Sequence, residues 1–224
     1  DASLDYGALA KRLTALFQEK TFDLIEATAE YCARALLREY PLVRSLSLTV
    51  KKPSAPVGLP LAYPAVSITR SWTPAVLALG SNIGDRAAEL DQACQALATQ
   101  PDIRLLKTSD WIGNRAWGNT DQDPFLNGAV LIETLLSPQE LLQTIHTIEA
   151  AQGRQRLVHW ARALDIDIIY YNDLLLDQPD LTIPHPLSLQ RAFVMDPRRS
   201  IVPYWIDSRY GQAVSAVWNE KKQS

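Results

Sequence analysis

Apolar residues recur with a helical period at the start of the chain. Leu9, Leu13, Leu16 and Phe17 fall at i, i+4, i+7 and i+8, which is one face of a helix. A second helix is expected to open at Asp23 and run to about Tyr40, with Leu24, Thr28, Tyr31 and Ala35 on one stripe and Pro41 to stop it. The period then drops to two. Leu46, Leu48 and Val50 alternate with polar residues, and Val66 and Ile68 do so again after a Pro-rich loop, so two half-buried strands follow the helices. Two strands cannot bury a sheet face of their own, which predicts a segment that is incomplete or is completed by other subunits.

Residues 69–74 read as a short connector. Beyond it, residues 75–79 form a compact apolar strand ending at Gly80-Ser81-Asn82, and Leu90, Ala93, Cys94 and Leu97 give the i, i+3, i+4, i+7 pattern of an amphipathic helix. Strands are expected at about 103–111 and 125–132. Ser137, with Pro138 next and Glu140 three residues on, spells a capping box; Leu141, Ile145 and Ile148 line the helix it opens, and Gly153 closes that helix. Leu164, Ile166, Ile168 and Tyr170 alternate as a further strand. The order β-α-β-β-α-β predicts a split βαβ, ferredoxin-like sandwich, and the chain as a whole is of the α+β class.

Composition narrows the partners. The 224 residues are 47% hydrophobic and 21% charged, with a formal net charge of −3, which suits a soluble globular protein and excludes collagen-like, disordered and coiled-coil classes. Basic and acidic residues nearly balance, 22 against 25, and no polybasic tract points to nucleic acid. No apolar run approaches the roughly 20 residues of a membrane helix and nothing resembles a signal peptide, so a cytoplasmic protein with no membrane partner is expected. Cys32 and Cys94 fall in apolar helical patterns, as buried free thiols of a reducing compartment would. The chain begins at Asp1 and not at Met, which reads as a fragment or a processed product.

Candidate chemistry concentrates in residues 153–167, GRQRLVHWARALDID. Residues i and i+2 of a strand share a face, so Asp165 and Asp167 point the same way. Two adjacent carboxylates repel unless a cation lies between them, and hard oxygen ligands suit Mg²⁺, which completes its shell with water and substrate phosphates. Arg154, Arg156 and Arg162 just upstream could hold the same phosphates bidentately. Residues 80–85, GSNIGD, have neither nucleotide-binding fingerprint and read as a strand-to-helix turn with Asp85 near the helix start. His185 is flanked by Pro184 and Pro186, which fix its direction; His146 and His159 have no zinc spacing.

Over residues 72–224 the chain resembles the 6-hydroxymethyl-7,8-dihydropterin pyrophosphokinase family. The blocks that carry this are Leu79-Gly80-Ser81-Asn82, Asp123-Pro124-Phe125-Leu126-Asn127, Leu136-Ser137-Pro138-Gln139-Glu140, Ile148-Glu149, Leu164-Asp165-Ile166-Asp167-Ile168-Ile169 and Thr182-Ile183-Pro184-His185. Residues 1–70 resemble the C-terminal part of dihydroneopterin aldolase through Asp5-Tyr6, Phe22-Asp23-Leu24-Ile25-Glu26, Tyr40-Pro41-Leu42-Val43 and Lys52-Pro53-Ser54-Ala55-Pro56. The two families are neighbours in folate synthesis. The resemblance implies domains at 1–70 and 71–224: part of a tunnelling-fold (T-fold) aldolase without its first hairpin, then a ferredoxin-like kinase.

For the kinase half the resemblance implies transfer of pyrophosphate from ATP, the co-substrate, to the pterin hydroxymethyl group with release of AMP. Asp165 and Asp167 would bind two Mg²⁺ ions, and Arg154 and Arg162 would stabilise the transferring charge. Glu149, Arg156, Trp160, Thr182, His185 and Arg191 would contact ATP, while Phe125, Phe193, Trp117 and Asn127 would meet the pterin. Asn114 and Arg115 stand where the family commonly has Thr-Pro, and the loop between Trp160 and Asp165 is one residue shorter than usual. In the aldolase half, Lys52 would handle protons, Glu26 would accept from the pterin's guanidine-like edge and Tyr6 would assist at a neighbouring subunit's site, with no cofactor. That half also implies a homo-oligomer, a tetramer or an octamer. The alternative is a non-catalytic pterin- or nucleotide-binding assembly module.

Overall fold

A computed structural model describes residues 3–53, 55, 56, 58, 62–114, 124–152, 164–188 and 192–223. It separates into two compact units, Asp1–Trp72 and Thr73–Ser224. No helix among the described residues is long and apolar enough to cross a membrane.

The first unit is α1 (Tyr6–Glu19), α2 (Ile25–Glu39), β1 (Ser45–Lys51) and β2 (Ala65–Ser71). Asp5 caps α1 by accepting from Ala8 N at 2.9 Å. α2 starts two residues later than its pattern suggests, with Leu24 in the cap position and no side-chain cap. Its buried face is also displaced: Ala29, Cys32, Ala33, Leu36 and Leu37 go inside, while Leu24 is exposed. The small residues let α2 lie close on both strands, and Tyr31 and Ala35 end up on its flank, packed at the edge of the Leu16–Cys32–Leu36 core. β1 and β2 are antiparallel, and Leu46, Leu48, Val50, Val66 and Ile68 alternate inward as their pattern predicts. The opposite face carries hydroxyl pairs, Ser47–Thr69 and Thr49–Ser67, each at 2.8 Å.

The second unit is β3 (Thr73–Ser81), α3 (Arg86–Ala98), β4 (Ile103–Thr108), β5 (Ile112–Asn114), β6 (Phe125–Thr134), α4 (Pro138–Ala151), β7 (Asp165–Tyr171), β8 (Leu176–Gln178), β9 (Leu181–Ile183), α5 (Ala192–Ile201), β10 (Ile206–Asp207), β11 (Gln212–Ala213) and α6 (Val214–Gln223). Its main sheet runs β4-β6-β3-β7, each neighbour antiparallel, with β5 also on β6. Asp85 caps α3, and the Ser137/Glu140 capping box of α4 is complete. α4 ends at Ala151, and Gly153 lies outside the described residues. α3 and α4 cover one face through Leu90, Leu97, Leu141 and Ile145 against Leu77, Leu79, Ile166 and Ile168. The other face packs Val76, Ala78, Ala129, Ile169 and Tyr170 on Met195, Ile201, Val214 and Val217.

The strand expected at about 103–111 ends at Thr108, and a separate strand, β5, begins at Ile112. Ser109 takes over the ladder there, its Oγ accepting from Ala129 N at 2.9 Å, and Trp111 lies across Gly128, where any Cβ would collide with the indole. Cys32 and Cys94 are buried free thiols, and burial pushes the Cys94 thiol up to about 11.

Candidate active site

β7 sorts its residues by parity. Ile166 and Ile168 enter the core under α3 and α4, which turns Asp165 and Asp167, both half-buried, onto the opposite sheet face. Register decides what shares that face. Gly80 pairs with Asn127 on one side and Asp165 on the other; Ala78 pairs with Ala129 and Asp167. Asn127, Gly80 and Asp165 therefore form one row across three strands, spanning about 10 Å at two strand spacings. Gly80 is the blank in its middle, and a Cβ there would come within 2.9 Å of Asn127 Oδ1. Phe125, two residues before Asn127, shares its face, and Asn127 Nδ2 donates to Asn114 Oδ1.

A cleft of about 330 Å³ opens along β7, with Asp165, Asp167, Glu149, His146, Thr182 and His185 in its lining. Glu149 is buried on α4 and accepts from Ile166 N at 3.0 Å, so it also anchors the start of the strand that carries the aspartates. Thr182 Oγ1 donates to Asp177 Oδ1 at 3.2 Å across the β8–β9 hairpin. His185 follows the cis Ile183–Pro184 bond. Its N–H donates to Ile169 O at 3.2 Å, and its Nδ1 accepts from Leu187 N at 3.3 Å. With Nδ1 accepting, the proton of the neutral ring sits on Nε2, which lies 4.0 Å from Asp167 Oδ1. His146, one helical turn before Glu149 on α4, joins the cleft although its spacing gave it no role; the i, i+3 relation to Glu149 is the signal that places it there.

Among the described residues no group of three or more His, Cys, Asp or Glu gathers as a metal centre. Mg²⁺ does not require one: two half-exposed carboxylates on one face, open to a cleft large enough for phosphates, fit an ion that draws the rest of its shell from water and substrate. Arg154, Arg156, Trp160, Arg162, Trp117 and Arg191 lie outside the described residues, and Phe193 belongs to α5 with its side chain outside them.

In the first unit the three expected site residues stand on separate elements. Tyr6 opens α1 and is exposed, Glu26 is exposed in the first turn of α2, and Lys52 is exposed just past β1 with its N–H donating to Pro64 O at 3.0 Å. Lys51, beside it, places its Nζ 4.7 Å from the Tyr63 ring centroid.

The family model for 7,8-dihydro-6-hydroxymethylpterin-pyrophosphokinase matches residues 76–203, more than half the chain and all of the sheet just described beyond the first three residues of β3. The chain belongs to this family. The pyrophosphokinase of Synechocystis is 43% identical over 141 residues, covering 62% of this chain and 72% of that protein. That of Methylorubrum extorquens is 46% identical over 132 residues, covering 58% and 84%. The bifunctional protein FolKE of Lactococcus lactis is 43% identical over 122 residues, 54% of this chain and 35% of that protein. The crystal structure of wild-type Plasmodium falciparum HPPK-DHPS superposes with a TM-score of 0.52 at 14% identity, over 68% of this chain and 45% of that one, a likeness of fold alone. Residues 1–69 match the dihydroneopterin aldolase model. The chain thus joins a segment that matches the aldolase model to an ATP-dependent pyrophosphokinase domain of folate biosynthesis.

Proposed function

We propose that the hydroxymethylpterin meets the nucleotide along the Asn127–Gly80–Asp165 row. That juxtaposition is the observation that carries the reading, because it sets a residue suited to the pterin's polar edge beside the phosphate-facing carboxylates. Asp165 and Asp167 would hold two Mg²⁺ ions, which would supply the positive charge that neutralises the triphosphate. Asn127 orients the pterin, with Phe125, Phe193 and Trp117 against its ring. Glu149, Thr182, His185, Arg156, Trp160 and Arg191 take ATP. The pterin hydroxyl oxygen attacks the β-phosphorus, its proton passes to water, the bond from that phosphorus to the α,β-bridging oxygen breaks, and AMP leaves. Arg154 and Arg162 stabilise the charge on the group in transit. Asp167→Asn should cut turnover by on the order of a hundredfold or more with an unchanged melting temperature; a variant as active as the parent would remove Asp167 from the site.

The strand order β4-β6-β3-β7, with α3 and α4 on one face, supports a ferredoxin-like sandwich for residues 71–224. Two helices over one antiparallel pair support a tunnelling-fold portion for residues 1–70. There Lys52 moves protons in the retro-aldol cleavage of dihydroneopterin to the hydroxymethylpterin and glycolaldehyde, Glu26 accepts from the substrate edge and Tyr6 assists, without a cofactor. Exposure of all three on separate elements favours a site completed between subunits of a homo-tetramer or homo-octamer. Reduced Cys32 and Cys94 suit the cytoplasm.

A further inference from the structure

Arg209 belongs to no motif in the sequence; it sits in the turn between β10 and β11, far along the chain from the aspartates. Its guanidinium is held from behind. Nε donates to Asp207 Oδ1 at 3.1 Å and Nη2 to Asp207 Oδ2 at 2.8 Å, the two-point fork of an arginine–carboxylate pair. Asp207 is fully buried, and it also accepts from Arg209 N at 3.0 Å and from the Tyr170 hydroxyl at 2.5 Å. Burial by itself would raise the Asp207 carboxyl, but the hydrogen bonds from Arg209 and Tyr170 more than offset it and hold the group below its ordinary range. The carboxylate is therefore ionised and anchors Arg209 firmly to the end of β7.

The same guanidinium reaches forward to the loop that carries His185. Nη1 donates to His185 O at 3.3 Å and Nη2 to Ser188 Oγ at 3.1 Å. Ser188 is fully buried, and its N–H closes the turn on the same His185 carbonyl at 3.1 Å. The backbone of His185 is thus gripped on its carbonyl side by Arg209 and on its amide side by Ile169 of β7. Between these grips the imidazole has its Nε2 facing Asp167 across 4.0 Å.

We infer that Arg209, braced by Asp207, is a positioning residue for His185 in nucleotide binding. The inference rests on the reading that His185 contacts ATP. Lysine cannot replace this arginine: a single ammonium cannot hold the Asp207 carboxylate, the His185 carbonyl and the Ser188 hydroxyl in one plane. A clamp of this kind acts on the affinity for one substrate, whereas a hairpin staple serving stability alone would leave both affinities as they are.

The test is steady-state kinetics on the full chain with ATP, Mg²⁺ and the hydroxymethylpterin, alongside thermal melting. Arg209→Met and Arg209→Lys should each raise the KM for ATP roughly tenfold, the size of effect that loss of an orienting partner commonly has, with the pterin affinity within about twofold of the parent. Arg209→Met leaves a buried carboxylate without its partner, so Asp207→Asn combined with Arg209→Met is the companion variant; the amide still accepts from Tyr170. Ser188→Ala removes one oxygen and keeps the fold, and should raise the KM for ATP about twofold to threefold, a minor share of the full loss. His185→Ala is the reference. If it raises the KM for ATP while folded Arg209 and Ser188 variants do not, the positioning role is overturned. Equal loss of affinity for both substrates in the Arg209 variants overturns it as well. If His185→Ala leaves the KM for ATP unchanged, what fails is the assignment of His185 to the nucleotide.

Discussion

Three side-chain environments in the second unit are governed by single residues. Gly80 is the clearest. The atom a methyl group would strike is Oδ1 of Asn127, at the end of a movable side chain, so Gly80→Ala should cost at most about 1 kcal/mol of stability. It should nonetheless displace the Asn127 carboxamide and raise the KM for the pterin roughly tenfold, with the KM for ATP nearly unchanged; a pterin KM equal to the parent's would show that the row does not bind substrate. Arg198 is the opposite case, a fully buried cation whose Nε and Nη1 have no hydrogen-bond partner among the described residues, so that burial lowers its pKa. Among the described residues its side chain meets Met195 sulfur and the Tyr170 ring, 4.8 Å away, and the charge of Asp207 offsets only part of the cost of burial. Arg198→Leu should therefore stabilise the protein by about 1–3 kcal/mol, read as a rise in melting temperature; a fall would mean the ring contact outweighs desolvation. Asp207 sets an acid limit. Its folded pKa is depressed, so its contribution to stability is complete above the unfolded value of about 4 and is lost as pH falls through the lower folded value. Asp207→Asn should be less stable at neutral pH and flatter than the parent in a melting series below about pH 4; parallel curves would refute the coupling.

The elements differ in how plainly they can be read, for physical reasons. α4 is legible to the residue at its start because the cap is local chemistry: Ser137, Pro138 and Glu140 need nothing beyond one another. The aspartate pair is legible because i and i+2 share a face on any strand, whatever the strand pairs with. The row that joins Asn127 to Asp165 across Gly80 is not, because it depends on the register of three strands drawn from distant parts of the chain. The break between β4 and β5 escapes periodicity because its cause is a non-local contact, Trp111 lying over Gly128. On α2 the stripe drawn through Leu24 and Thr28 misses the buried face, since Ala29, Cys32 and Ala33 go inside for their small size against two strands. α6 has a weak period, β10 and β11 are too short to show one, and Pro197 inside α5 hides a helix that is otherwise amphipathic. Arg209 is invisible in sequence for that reason: its meaning lies wholly in what Asp207 and the His185 loop bring to it.

At the scale of the whole molecule, two units of different completeness share one chain. The second has a sheet covered on both faces and contains a cleft with its carboxylates in place. The first is a helix pair over two strands, and its candidate residues are displayed outward rather than gathered. This contrast predicts that the two chemistries are separable: Lys52→Ala should leave pyrophosphoryl transfer at the parent rate, and a loss of that transfer would show that the exposed lysine matters beyond its own unit. Pyrophosphoryl transfer by the second unit is decided by product analysis. Incubated with ATP, Mg²⁺ and the hydroxymethylpterin, the chain should release AMP and place both outer phosphates on the pterin, in a reaction abolished by Asp167→Asn. Formation of ADP with a pterin monophosphate would contradict it.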